Sequence, residues 1–427
     1  MFRVAYAAIT ERFVDPVSAE QIALDGLSGL ATIDPALTVA KLRNDVELDV
    51  AGRRVMSLQT PKARDLEGWA QVSVQIWRAA RAHSTRLAAV PQEGVYEAVF
   101  DRMTAALDAN SRYATPDEAR RNRQRRDGYH GIGIGVRMEG DAPVISEING
   151  ASPAERAGLR VGDVLVQIDG RPTSGLSQAE VEALLQEEVT GRVRLTVHRL
   201  GRTSLRFVVP RSYLIPDMVK ERYEDGILFL TISHFNRDTA DDIARTWEGL
   251  SAPPAQQIRG IVLDLRGNPG GLLQQAVKVA DLFLADGPIL STRGRHPDSV
   301  QDYVAGGDDI THGLPLVILI DGDTASAAEL TAAALQDRDR AIVIGSTSYG
   351  KGCTSGLYVG DPDAFDRLLS RPSAMSAETG RSTCPAEKRD GTVDLELARR
   401  LIDQPDVFAD ALHRVSLVAQ VPEGAVP

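Results

Sequence analysis

Leu314-Pro-Leu-Val-Ile-Leu-Ile-Asp-Gly-Asp-Thr-Ala-Ser-Ala-Ala-Glu-Leu330 decides how this chain is read. Its first half is an unbroken apolar run, Leu314 to Ile320, too short for a helix of ordinary length and suited to a strand buried on both faces. A turn of small and acidic residues follows, and Ala327 to Gln336 then has helix-forming composition. Ser326 therefore stands where a strand hands over to a helix. The next apolar run, Ala341 to Gly345, leads to Ser348-Tyr-Gly-Lys-Gly352, which places Lys351 between two glycines, 25 residues after Ser326. A hydroxyl at a helix N-terminus and an amine delivered by the next strand are the parts of a serine–lysine dyad.

Each part has a plainer reading. Ser326-Ala-Ala-Glu329 matches the Ser-x-x-Glu capping box, so Ser326 could serve only to cap a helix. The small neighbours Ala325, Ala327 and Ala328 favour chemistry, because they leave room for a carbonyl group beside the hydroxyl and the Ala327 N–H. Lys351 has to be neutral to accept a proton from serine, and burial is the usual route to that state. A third element precedes both: Ile261 to Leu265 reads as a strand, then Arg266-Gly-Asn-Pro-Gly-Gly271, then a helix. Glycines at such a turn let backbone N–H groups face a ligand, as in an oxyanion hole.

Two motif matches mislead. Gly345 to Lys351 fits Gly-x4-Gly-Lys, but Gly352 stands where a phosphate-binding loop needs Ser or Thr, and no helical pattern follows. Gly131-x-Gly133-x-Gly135 opens no helix, so it is not a dinucleotide fingerprint. None of the seven histidines sits in a triad context, and His234 and His312 at strand boundaries read as structural.

The whole chain bounds the answer. Its 427 residues accommodate two or three domains, and a formal charge of −11 argues against nucleic acid or an anionic membrane as the main partner. The basic run Arg120 to Arg126 reads as a solvated helix face or hinge. No stretch is long and apolar enough for a membrane span, and no signal peptide is visible. Cys353 and Cys384 lack a Cys-x-x-Cys or His partner, so no metal site and no cofactor are expected; a disulfide between them stays open.

Along the chain, residues 1–127 read as a helical N-terminal region, in which Val4, Ala7, Ile9 and Phe13 keep helix spacing and Val46 to Val55 alternates like a hairpin. Residues 115–128 are charged enough for a linker. A strand-rich module fills 128–212, with strands at 131–136, 143–148, 164–170, 193–200 and 204–209 and a helix at 178–187. From 213 to 358 strands alternate with helices in an α/β core, and 359–427 reads as a polar helical tail, clearest at Leu395 to Ile402.

Together these residues resemble the carboxyl-terminal processing proteases, Ser–Lys endopeptidases with an inserted PDZ domain. The likeness covers roughly residues 95 to 352. It rests on Asp108 to Glu118, on Tyr129-His-Gly-Ile-Gly-Ile134, on Ser152-Pro-Ala-Glu-Arg-Ala-Gly-Leu-Arg-Val-Gly-Asp163, on Leu263 to Gly271, and on the Ser326 and Lys351 motifs. The resemblance implies a crotonase-like α/β protease core and a β-rich PDZ domain with helices. It makes Ser326 the nucleophile and Lys351 the general base, with the oxyanion held by the N–H of Ala327 and of Gly270 or Gly271. It assigns Gly131, Ile132, Gly133, Ile134 and Gly135 to binding the C-terminus of a protein substrate. It also implies an exported, periplasmic protein, and the helical N-terminus suits either a homo-oligomer contact or a cover for the core. One departure stands out: the family has a glutamine four residues after the lysine, where this chain has Ser355. The alternative it raises is a pseudoprotease or PDZ adaptor that holds C-termini without cutting.

Overall fold

The computed structural model of the protein describes residues 1–150, 152–186, 191–199, 202–251, 258–346, 348–351, 391–406, 408–409 and 412. Cys353, Ser355 and Cys384 lie outside the described residues. The N-terminal region consists of α1 (Phe2–Arg12), α2 (Ala19–Ser28), α3 (Leu30–Ile33), β1 (Leu37–Leu42), β2 (Asp45–Val50), β3 (Arg53–Gln59), α4 (Leu66–His83), α5 (Thr85–Ala89), α6 (Gln92–Ala105) and α7 (Pro116–Asp127). The alternation at 46–55 belongs to a three-stranded antiparallel meander, β1-β2-β3, rather than to one hairpin. In α1 the buried side chains are Phe2 and Tyr6, whereas Val4 is exposed. Tyr6 tolerates full burial because its hydroxyl pairs with Ser73 Oγ at 2.7 Å, which the apolar spacing of Val4 and Ile9 could not reveal. The stretch that reads as a charged linker forms α7 instead. Its start is fixed by a Thr115–Glu118 capping box with Pro116 at the first helical position, and it buries none of its residues.

A second unit follows: β4 (Tyr129–Gly131), β5 (Ile134–Glu139), β6 (Ala142–Ile148), α8 (Pro153–Ala157), β7 (Val164–Ile168), β8 (Arg171–Pro172), α9 (Gln178–Leu185), β9 (Arg192–Arg199), β10 (Arg202–Pro210) and β11 (Ser212–Leu214). Its main sheet runs β10-β9-β7-β6-β5, so β5 is an edge strand. The single strand expected at 131–136 is split in two, because Gly133 adopts φ 81° and turns the chain. β4 leaves the sheet and pairs antiparallel with β11, joining the entry and exit of the unit in one ribbon.

The core contains β12 (Val219–Glu224), β13 (Ile227–Ile232), α10 (Thr239–Ser251), β14 (Gly260–Asp264), α11 (Leu273–Asp281), β15 (Pro288–Thr292), β16 (Gln301–Val304), β17 (Leu316–Ile320), α12 (Ala327–Asp337), β18 (Ile342–Gly345) and α13 (Gly391–Asp403). Its sheet runs β12-β13-β14-β17-β18; β12 is antiparallel to β13 and the other pairings are parallel. The apolar run in β17 serves two faces at once. Leu316, Ile318 and Ile320 pack with the buried residues of α10, α11 and α12, whereas Val317 and Leu319 pack with Ala398, Leu401 and Ile402 of α13. Each such fully buried aliphatic side chain contributes about 1.5–3 kcal/mol. The helix at the end of the chain is thus a second cover for the sheet, not only a polar tail. Parallel strands put their C-terminal ends on one edge, and there the chain lays out residues 233–236, 266–271, 321–326, 346 and 348–351 side by side.

Candidate active site

Buried side chains shape the turn after β14. Asn268 is fully buried; its Nδ2 donates to Ile232 O at 2.7 Å and its Oδ1 accepts from Gly270 N at 2.8 Å. Its carbonyl accepts from Ala325 N at 2.9 Å, which ties this turn to the residue before Ser326. Asp321 adds a second tie, since Oδ1 accepts from Gly267 N at 2.8 Å, and Thr324 Oγ1 donates to Leu265 O at 2.9 Å. On the other side Phe235 N donates to Gly270 O and Leu272 N to Phe235 O, at 3.0 and 2.9 Å.

These contacts separate the two glycines. The Gly270 N–H is taken by Asn268, whereas the Gly271 N–H has no acceptor among the described residues. Gly270 has another duty. At φ 101°, a Cβ there would lie 2.8 Å from Ser326 Cβ and 2.9 Å from Ala327 N, in the space facing the helix start. The Ala327 N–H likewise has no acceptor among the described residues. The Gly271 and Ala327 amides thus both lack an acceptor among the described residues, and Gly270 keeps the space beside Ser326 and Ala327 free of a side chain.

The backbone of Ser326 bears on the capping alternative. Ser18, Ser152 and Ser177, which cap α2, α8 and α9, have φ between −93° and −69° and ψ between 153° and 161°. Ser326 has φ 54° and ψ −120°. A non-glycine residue held there costs of order 1–3 kcal/mol, strain that a helix cap does not require. It is the geometry of a sharp strand-to-helix elbow, which lifts a nucleophile clear of the sheet. Ser326 is half-buried between the buried Ala325 and Ala327.

Lys351 is also half-buried, and its Nζ lies 5.7 Å from the centre of the Tyr349 ring. Its loop is moored to the elbow: Tyr349 N donates to Thr324 O at 2.9 Å. The carboxylate of Glu329, on the first turn of α12, accepts from the backbone N–H of Ser326 and of Lys351. The structure thus brings Ser326, Ala327, Gly270, Gly271 and the Lys351 loop to one edge of the sheet. Sequence reasoning passed over Asn268 and saw Glu329 only as a cap; the signal for Asn268 is its place before Pro269 in a glycine-rich turn, where Asn side chains bond the backbone.

The second cluster lies beside α9. Ile132 O accepts from Ala154 N at 2.9 Å and Gly133 O from Asn149 N at 3.0 Å, while the N–H groups of Ile132 and Gly133 have no acceptor among the described residues. Gly131 is occupied otherwise, pairing with Ser212 in the ribbon, and Ile134 and Gly135 pair with β6 on one side. Behind this loop lie the buried side chains of Ile132, Val136, Val181 and Leu185. A loop with its carbonyls tied back and its amides outward, next to an open strand edge, can hold a carboxylate and add a peptide strand.

Two stretches of the chain match known domains. Residues 226–364 match Peptidase family S41 and residues 144–199 match a PDZ domain. The chain carries an S41 peptidase domain and a PDZ domain. Over 273 residues it is 36% identical to the carboxy-terminal-processing protease of Bartonella bacilliformis, covering 63% of each chain. Over 226 residues it is 30% identical to the carboxy-terminal processing protease CtpA of Bacillus subtilis, covering 52% of this chain and 47% of that one. A solved photosystem II D1 C-terminal processing protease aligns at 23% identity and a TM-score of 0.34, over 68% of this chain and 87% of that one. The chain spans less than two thirds of the length of the two curated relatives named. All the elements around Ser326 belong to the S41 domain, and β5 and α9 belong to the PDZ domain or flank its matched span.

Proposed function

We propose that the chain is a serine endopeptidase that cleaves protein substrates in their C-terminal regions, with Ser326 as nucleophile and Lys351 as general base. The observation that carries the reading is the elbow at Ser326, strained where the serine caps of α2, α8 and α9 are not, and near the Gly271 and Ala327 amides, which have no acceptor among the described residues. Neutral Lys351 takes the proton from Ser326 Oγ as that oxygen attacks the scissile carbonyl carbon. The carbonyl oxygen becomes an oxyanion that accepts hydrogen bonds from the Gly271 and Ala327 N–H groups. As the tetrahedral species collapses, the C–N bond breaks and the Lys351 ammonium returns its proton to the departing amine. Water, deprotonated by the same lysine, then cleaves the acyl ester on Ser326 and releases the new carboxylate.

The PDZ domain would bind the free C-terminus of the substrate, its carboxylate against the Ile132 and Gly133 amides, its last side chain among Ile132, Val181 and Leu185, and its backbone added to β5. The likeness to processing proteases supports a periplasmic or otherwise exported site of action. Among the described residues no helix is long and apolar enough to cross a membrane.

The test is cleavage of an unfolded protein with an apolar C-terminus by wild type, Ser326→Ala and Lys351→Ala. Both variants are expected to lose cleavage by about 10³-fold or more while still binding the C-terminal peptide. Peptide binding without any cleavage by wild type would favour the adaptor alternative.

A further inference from the structure

Among the described residues of the S41 domain Glu329 is the most deeply placed charged group, with 0% of its surface exposed. A capping box needs it to accept one hydrogen bond, from the Ser326 N–H, and Oε2 does so at 2.7 Å. Three further donors converge on the same carboxylate from a segment about twenty residues later. Oε2 also accepts from Lys351 N at 3.1 Å, and Oε1 accepts from Gly350 N and Ser348 Oγ, each at 2.7 Å. A buried carboxylate is tolerated only when its lone pairs are filled, and four donors fill them. The amides of nucleophile and base are thereby fixed on a single oxygen atom.

We propose that Glu329 is a positioning residue that holds the Ser326 elbow and the Lys351 loop as one unit. The inference rests on the Ser–Lys reading for its catalytic consequence, but the clamp itself is open to a test independent of catalysis. Ser326 needs restraint, since its backbone sits in a region that relaxes unless its surroundings oppose it. The loop of Lys351 needs it too, because glycines flank the lysine and leave its backbone free to turn. Without Glu329 the four donors, all on half-buried residues, would lose their shared acceptor and the two segments would part.

Two substitutions grade the effect. Glu329→Gln retains one oxygen for Ser326 and Lys351 and can turn its NH2 toward the Ser348 hydroxyl, which is able to accept; only Gly350 N–H then faces another donor. Glu329→Leu keeps the bulk and removes every acceptor. In the full-length protein, amide hydrogen exchange at Ser326 and Lys351 is expected to quicken by up to about 10-fold in the Gln variant and by about 100-fold or more in the Leu variant. Turnover number should fall in the same order, with KM and C-terminal peptide affinity within about twofold of wild type. A residue needed only for folding would instead lower melting temperature and peptide binding together, and that outcome in the Gln variant would overturn the proposal. Exchange and turnover unchanged in the Gln variant would overturn it as well; should the Leu variant not fold, the Gln variant decides. A wild type whose amides are protected but whose Ser326 never acylates would count against the Ser–Lys reading while upholding the clamp.

Discussion

Two turns in this molecule present unclaimed backbone amides, and they are framed by different means. In the S41 domain the Gly271 and Ala327 amides sit in turns laced by side chains from other elements: Asn268 to Ile232, Asp321 to Gly267, Thr324 to Leu265 and Glu329 to the Lys351 loop. In the PDZ domain the Ile132 and Gly133 amides are framed by backbone contacts to Ala154 and Asn149, and the loop joins the remaining chain through the short β4–β11 ribbon. The first frame is cross-linked by buried polar groups that cost free energy when left unpaired, so it resists deformation. The second is framed by local backbone contacts. Such a division would suit the proposed chemistry at the first site, which needs precise positioning, and the proposed capture of a C-terminus at the second.

The largest effect expected from breaking the first frame comes from Gly270→Ala. The new Cβ would meet Ser326 Cβ and Ala325 O at 2.8 Å and stand in front of Ala327 N. Cleavage should drop by about 10²–10³-fold, the scale of a lost oxyanion donor, with C-terminal peptide affinity unchanged. Activity near that of wild type would mean that the Ala327 amide is not used. In the second frame the counterpart is Gly133→Ala. Its φ of 81° and a Cβ 2.4 Å from that of Ser152, the cap of α8, make the substitution strained and crowded. Peptide affinity, measured by fluorescence anisotropy, is expected to fall by about tenfold or more, with acylation of Ser326 by a small serine-directed probe preserved. A parallel loss of acylation would show that the two frames are not independent.

How much of this was legible in the sequence differs between the same two regions. Ser326, Lys351 and the Gly270–Gly271 turn could be read because strand, turn and helix signals are contiguous there. The buried links could not: Glu329 satisfies a local capping rule with one contact and hides three others that come from residues 348–351, after a strand has intervened. Nor could composition tell Gly270 from Gly271, since the distinction is a hydrogen bond that the Gly270 N–H donates to the Asn268 side chain. In the PDZ domain the residues 131–135 were legible as a group, but Gly133 breaks the apparent strand, and the structure leaves the Ile132 and Gly133 amides without an acceptor among the described residues. Strands β12 and β16 escaped notice because largely exposed antiparallel strands carry no long apolar run, and β15 because its buried apolar stretch is only Ile289-Leu290. α7 was legible only as a solvated helix face or hinge within a charged stretch, because capping and side-chain pairs make it, with no apolar face to betray it.

The smallest effect expected concerns the join between the regions. Arg237 N donates to Arg126 O, and Asn236 Nδ2 donates to Pro216 O just beyond β11. His234 lies in this join, and burial, reinforced by Arg125 and Arg126, holds its imidazole below the ordinary histidine range. As pH falls through about 6.5 the unfolded chain takes up this proton before the folded one does, so stability is lost toward acid. Urea unfolding at pH 7.5 and 5.5 should therefore show a smaller acid loss for His234→Gln than for wild type. Equal losses would remove His234 from the account.

The central claim is that Ser326 is acylated by substrate with Lys351 as its base. It is tested most directly by acid-quenching the reaction with an activated ester of a short apolar peptide and mapping the adduct by mass spectrometry. The account predicts an acyl group on Ser326 in wild type, absent in Ser326→Ala and accumulating at least about 100-fold more slowly in Lys351→Ala. An adduct that forms on Ser326 at the same rate without Lys351, or on another residue, would contradict it.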